Sequence, residues 1–240
     1  MPHDSPIMII VCLNGSSTDM EFDTASSTSF ITPNIWRKLG CPKFHPILKE
    51  YSDVFDQPVG VIRGFKAKLV LKENAVPCFF KPRPIPFSLR DKADKELDKM
   101  EKSGAISRIE TSEWASPLVV VPKLNGSICI TGDFKRTINN QLHIQQYPLA
   151  RTDELFEKVS GGQNFTKLDG LDAFHQVEVD ESCKKYLVIN THRGLYQYNV
   201  LPEGIALSPA IFQELIDRML KEIPMTGSFV NDTISTGKND

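Results

Sequence analysis

No apolar stretch near the start of the sequence is long enough to span a bilayer. The run Ile7 to Leu13 is short and has no basic flank before it, so neither a signal peptide nor a membrane anchor is read there. An excess of one charge is missing as well. Lys and Arg number 28 against 30 Asp and Glu, a formal net charge of -2. That excludes a whole-protein basic field, the usual footprint of a nucleic-acid binder, and leaves only local clusters for such contacts. Paired cysteines are lacking too: Cys12, Cys41, Cys78, Cys129 and Cys183 are scattered, odd in number and contain no C-x-x-C. A zinc site and a disulfide framework are disfavoured, and an intracellular, cytoplasmic or nuclear compartment fits best. Internal repeats, low-complexity tracts and a regular βαβ alternation are absent.

What is present reads as globular. The 240 residues are 40% hydrophobic and 24% charged, enough apolar matter for one large domain or two small ones. Ile7 to Leu13 and Met20 to Phe22 read as strands around Asn14-Gly15, and Pro33 to Leu39 as a short helix closed by Gly40. The chain is then irregular to a proline-dense run, Lys81 to Pro86, which forbids helix. Ser88 and Asp91 form a capping-box pattern ahead of a stripe of Leu89, Ala93, Leu97 and Met100, ended by Gly104.

Pro117 to Lys123 and Ile128 to Phe134 flank Asn125-Gly126 as a hairpin, and Tyr186 to Asn190 and Leu195 to Asn199 form another. Thr152 to Val159 reads as a helix and Phe165 to Asp169 as a buried strand. Ser208-Pro209 opens a helix with the stripe Ile211, Phe212, Leu215, Ile216 and Met219. Asn231-Asp232 is read as a hairpin tip. The class is α+β.

Asp169 ends a strand before Gly170, Asp172 follows one turn later, and Asp232 sits near the C-terminus. Phosphoryl transfer with two magnesium ions needs carboxylates brought together from separate elements. Taken alone, these aspartates read more readily as ordinary turn residues. Their surroundings change that. Phe165-Thr166-Lys167-Leu168-Asp169-Gly170-Leu171-Asp172-Ala173-Phe174-His175-Gln176-Val177 resembles the motif of the first catalytic aspartate of reverse transcriptases. Leu201-Pro202-Glu203-Gly204 with Ser208 to Gln213 resembles their nucleotide-pocket loop and palm helix. Phe229-Val230-Asn231-Asp232 falls where that family has Y-x-D-D, and Ser112 to Pro117, Val121-Pro122-Lys123 and Gly126-Ser127-Ile128 resemble the fingers. Order and spacing resemble the gypsy-type long-terminal-repeat retrotransposons from about His45 onward.

The resemblance implies a right-hand fold of fingers and partial palm over 88–240, after a linker over 41–87. Asp169 and Asp232 would be the catalytic, metal-holding carboxylates for Mg2+ or Mn2+. Lys123, Asp172, Ala173, Phe174 and Gly204 would form the nucleotide site, with Phe174 gating against a ribose 2′-hydroxyl. Partners would be an RNA or DNA primer–template and deoxynucleoside triphosphates, with no membrane. Residues 1–40, with Asp23-Thr24-Ala25-Ser26, resemble the first half of a retroviral-type aspartic protease. That family has glycine where Ala25 stands, and the rest of its barrel is not found here, so a protease remnant is expected.

Departures from the family pattern point to impaired catalysis. Asn231 stands for the first aspartate of Y-x-D-D and removes a full charge beside the metals. Cys129 replaces a fingers arginine, and a thiol makes no bidentate phosphate contact. Glu203 adds a carboxylate near the triphosphate. The chain ends at Asp240, so later palm strands, thumb and ribonuclease H are expected to be missing, and self-association through an uncovered palm edge is expected. The alternatives are a non-enzymatic nucleic-acid-binding module or non-functional remnant, and a residually active polymerase.

Overall fold

The computed structural model describes 7–13 and 16–22 as backbone, and residues 60–123, 126–143, 147–149 and 151–237. The turn read at Asn14-Gly15, the segment Asp23 to Ser26, the helix read at Pro33 to Leu39 and Asn125 lie outside the described residues. The first strands are β1 (Ile7–Leu13), β2 (Ser16–Phe22), β3 (Lys66–Ala67), β4 (Ile106–Ile109), β5 (Ser116–Pro122) and β6 (Ile128–Gly132). They are followed by β7 (Asn164–Asp169), β8 (Glu178–Val179), β9 (Val188–Thr191), β10 (Gly194–Tyr198), β11 (Thr226–Phe229) and β12 (Asp232–Gly237). The helices are α1 (Phe87–Lys102), α2 (Thr152–Lys158), α3 (Glu181–Lys184) and α4 (Ser208–Leu220). This is the α+β class expected from the sequence. Among the described residues, no helix is long and apolar enough to cross a membrane.

The chain divides into two compact units. The larger holds the described residues of 59–149 and 172–215, and the smaller holds β1, β2 and the described residues of 150–171 and 216–240.

In the larger unit a five-stranded sheet runs in the order β4-β10-β9-β5-β6. Its pairs are antiparallel except β5 with β9. Helix α1 covers β6 and β4 and buries Ala93, Leu97 and Met100, the stripe its sequence spacing predicts. Its start differs from the capping box read at Ser88 and Asp91. The helix begins at Phe87 with Pro86 as its cap, and no side chain caps it. The preceding prolines bring the chain in extended, and the Pro86 carbonyl accepts from Leu89 N at 2.9 Å. Gly104, at φ 79, ends the helix as read.

The segment ahead of α1 is bound into this unit through its backbone. Phe80 N donates to Ala115 O at 2.9 Å, Ala115 N donates to Cys78 O at 2.9 Å, and β3 pairs in parallel with β8. Arg83 pairs with Asp133, and the Arg136 guanidinium lies 5.0 Å from the centre of the Phe80 ring. Asp133 is therefore held from 50 residues away.

The smaller unit carries an antiparallel sheet in the order β11-β12-β7 and the β1–β2 hairpin. Helix α2 meets β11 at Gly227, where an added Cβ would fall 2.9 Å from Leu155 Cδ2. Strand β7, read from sequence as buried, lies at one end of this sheet with every residue exposed as a whole, although the Lys167 side chain is largely covered. The stripe read along α4 also shifts. Phe212, Gln213 and Leu215 are buried, whereas Met219 is 54% exposed. A polar Gln213 takes the inward place because the packing around it, not its own hydropathy, sets the buried face.

Leu97 is fully buried and Phe87 is 91% exposed. Leu97→Ala is expected to lower stability by about 2–5 kcal/mol through lost transfer energy and a residual cavity. Phe87→Ala should change it by less than about 0.5 kcal/mol. Urea denaturation of both variants beside the parent checks the difference.

Candidate functional site

Strand register builds the first cluster, in the smaller unit. In the antiparallel pair of β12 with β7, Asp232 lies directly opposite Asp169. Asp232 also pairs with Phe229, so it opens β12, and the two-residue loop is Val230-Asn231. The hairpin tip read as Asn231-Asp232 is thus shifted back by one residue. Val230 has φ 53. Two-residue loops with a positive φ at the first position usually place glycine there, and a β-branched residue costs about 1–3 kcal/mol. That strain is held by hydrogen bonds. Gly170 N donates to Asn231 O at 2.8 Å, and Asn231 Nδ2 donates to Asp169 Oδ1 at 3.0 Å.

Like charges directly across a strand pair destabilise it. Here each carboxylate has a partner of its own. Asp169 accepts from the Asn231 amide, and Lys167 Nζ lies 3.2 Å from Asp232 Oδ1. That oxygen is buried and takes no hydrogen bond. Lys167 was not singled out from the sequence. The signal was there: it stands two residues before Asp169, hence on the same strand face.

These donors suit a hard divalent cation by type, two carboxylates and an amide oxygen that a flipped Asn231 would offer. Among the described residues, no cluster of three or more His, Cys, Asp or Glu stands ready for a metal.

The second cluster belongs to the larger unit. Asp172, at φ 45, turns the chain into a short 3-10 segment, Ala173–Gln176, and its carbonyl accepts from His175 N at 2.8 Å. Ala173 is buried. Phe174 is half-buried and meets Phe212 edge-to-face, with centroids 5.6 Å apart. Burial pushes the His175 imidazole pKa down, opposed by Asp172 and Glu203. Its ring packs 6.4 Å from that of Tyr198.

The loop at Gly204, φ 86, is pinned from three sides. Thr131 Oγ1 donates to Glu203 O at 2.6 Å, Asn139 Nδ2 donates to Gly204 O at 2.8 Å, and Ala206 N donates to Asn139 Oδ1 at 3.0 Å. Thr131 and Asn139 are further residues that sequence reading missed, since each lies more than sixty positions from its partner. Cys129 Sγ donates to Glu203 Oε2 at 3.4 Å, and burial together with Glu203 pushes the thiol up to about 12. Lys123 is exposed at the end of β5, where its backbone N donates to Ser127 O at 2.8 Å.

The structure thus brings Asp169, Asn231 and Asp232 together in one unit. Lys123, Asp172, Ala173, Phe174 and Gly204 lie in the other. Asp23 and Thr24 lie outside the described residues.

Residues 128–236 match a family model described as reverse transcriptase (RNA-dependent DNA polymerase). Over 187 residues the chain is 33% identical to uncharacterized protein K02A2.6 of Caenorhabditis elegans, covering 77% of this chain and 15% of that protein. It is 28% identical over 187 residues to the transposon Tf2-7 polyprotein of Schizosaccharomyces pombe, covering 76% and 14%. It is 27% identical over 192 residues to the retrovirus-related Pol polyprotein from transposon 412 of Drosophila melanogaster, covering 77% and 15%. The chain therefore spans only a small part of these relatives' length.

Among solved structures, the prototype foamy virus protease–reverse transcriptase aligns at TM-score 0.68 and 18% identity, over 92% of this chain and 31% of that one. A foamy viral protease–reverse transcriptase in complex with RNA/DNA hybrid aligns at 0.73 and 17%, over 87% and 28%. At such identities the likeness establishes the fold.

The raised Cys129 thiol yields a direct chemical expectation. A thiol near 12 holds about 10³-fold less thiolate at pH 8 than a free cysteine, so alkylation should slow by a similar factor. Iodoacetamide labelling at pH 8, read by peptide mass spectrometry beside a model thiol peptide, measures it.

Proposed function

Because this chain carries a reverse-transcriptase domain of the retrotransposon Pol kind, we propose that residues 88–240 are the fingers and partial palm of an RNA-directed DNA polymerase with impaired chemistry. The observation that carries this reading is the register setting Asp232 opposite Asp169, with Asn231 at the adjoining hairpin tip donating to Asp169.

Asp169 and Asp232 would hold a divalent ion, Mg2+ or Mn2+. Bound there, the ion would supply Lewis-acid stabilisation of the developing charge at phosphorus. Lys123 would meet the triphosphate as a point charge. Asp172 and Ala173 would line the incoming nucleotide, and Phe174, braced by Phe212, would exclude a ribose 2′-hydroxyl. The Gly204 loop would shape the base-side wall, its position fixed by Thr131 and Asn139. Substrates would be deoxynucleoside triphosphates on an RNA or DNA primer–template.

Impairment follows from charge. Asn231 contributes no negative charge where the family has an aspartate, the protonated thiol of Cys129 stands for a cationic phosphate ligand, and Glu203 adds repulsion. Gypsy-type origin, a linker over 41–87, a protease remnant over 1–40 with Asp23 and Thr24, and an intracellular location belong to the same proposal. So does self-association along β7, where Phe165 and Leu168 are exposed.

Primer extension on an RNA template tests the reading, with the parent beside Asn231→Asp, in magnesium and in manganese. The aspartate variant should extend on the order of 10²–10³ faster than the parent. Equal and measurable extension by both would mean that Asn231 is a fully competent ligand and that impairment is wrong, whereas extension by neither would place the impairment outside Asn231.

A further inference from the structure

Lys167 has no part in the proposed chemistry, yet it is the cation that faces the carboxylate pair. Lys167 and Asp169 are two residues apart on β7, so both side chains leave the same face of the strand. The register sets Ile234 opposite Lys167 and Asp232 opposite Asp169. Asp232 is therefore the diagonal neighbour of Lys167, within reach of a four-carbon stem. The contact is made: Nζ lies 3.2 Å from Asp232 Oδ1, and the two side chains are only 29% and 21% exposed. The same oxygen is buried and takes no hydrogen bond, so the ammonium is what offsets its charge. Asp169 is engaged separately, by the Asn231 amide.

Two opposed carboxylates need a positive charge between or beside them, and an ammonium can serve as well as a divalent ion. We propose that Lys167 is an internal counter-cation that competes with divalent metal for Asp232, and so sets how tightly the site holds metal. This rests on the reading of Asp169 and Asp232 as the metal-holding pair. Lys167 is a positioning residue, touching neither substrate nor the reacting atoms. Metal loading is then an exchange. The ammonium swings off Asp232 into solvent on its flexible stem as the ion arrives, and no bond is made or broken in the protein. The balance differs with side-chain chemistry: Lys167→Met removes the competitor and leaves the carboxylates dependent on metal, whereas Lys167→Arg keeps a permanent charge in place.

The test uses the full chain and Mn2+ alone, titrated while the electron paramagnetic resonance signal of free Mn2+ is followed. Lys167→Met should bind Mn2+ about tenfold more tightly than the parent, and Lys167→Arg should bind like the parent. Thermal melting gives a second readout. In chelator Lys167→Met should melt below the parent, and Mn2+ should raise its Tm by more than it raises the parent's. If Lys167→Met does not fold by circular dichroism, Lys167→Gln takes its place. Equal or weaker Mn2+ binding by the neutral variant, while Asp169→Asn still abolishes binding, overturns the counter-cation role and leaves the metal-holding pair standing. Mn2+ binding unaffected by Asp169→Asn, or none in the parent and the neutral variant alike, removes the metal-holding pair and this inference with it.

Discussion

The pairing of β12 with β7 is the constraint on which the carboxylate cluster depends. A strand has a period of two, so a one-residue slip would turn Asp232 to the opposite face and leave Asp169 facing an uncharged neighbour. The register is held at one end by the hairpin tip, where Gly170 N donates to Asn231 O, and at the other by Gln163 N donating to Gly237 O. Between those ends the face that carries Asp169 also carries Lys167, and the charge pattern is closed within the sheet.

The larger unit solves a different problem by a different means. Its loop at Gly204 holds position because side chains pin it. Asn139 does so twice, using both its amide nitrogen and its amide oxygen on one stretch of chain. An aspartate there would keep the acceptor and lose the donor, and a leucine would lose both. Beside that loop Cys129 and Glu203 face each other across 3.4 Å, and the thiol's proton is what makes the contact attractive.

The parts of this protein legible in its sequence were those encoded by local spacing. The Ala93, Leu97 and Met100 face of α1 follows from helical period, the β9–β10 hairpin from its alternating flanks, and the meeting of Asp169 with the Asn231-Asp232 segment from motifs read in order. What escaped was set by tertiary partners. The Asp133 ion pair comes from Arg83, 50 residues upstream, and nothing near Asp133 announces it. Gln213 is buried where Met219 is not, because the surroundings of α4 differ along its length. The Ser88 cap failed because the helix starts two residues early, at Phe87 with Pro86 as its cap. Lys167 was half legible: its face could be read from β7, its partner only from the register with β12.

Val230 carries a further implication. A residue that fits its backbone poorly is a poor choice for stability, but its conformational well is narrow on account of the neighbours that enforce it. A glycine at the same place would be content in several orientations and would let the tip wander on the nanosecond scale typical of loops. The unfavourable valine thus trades folding free energy for a hairpin tip restricted to fewer poses than a glycine would allow.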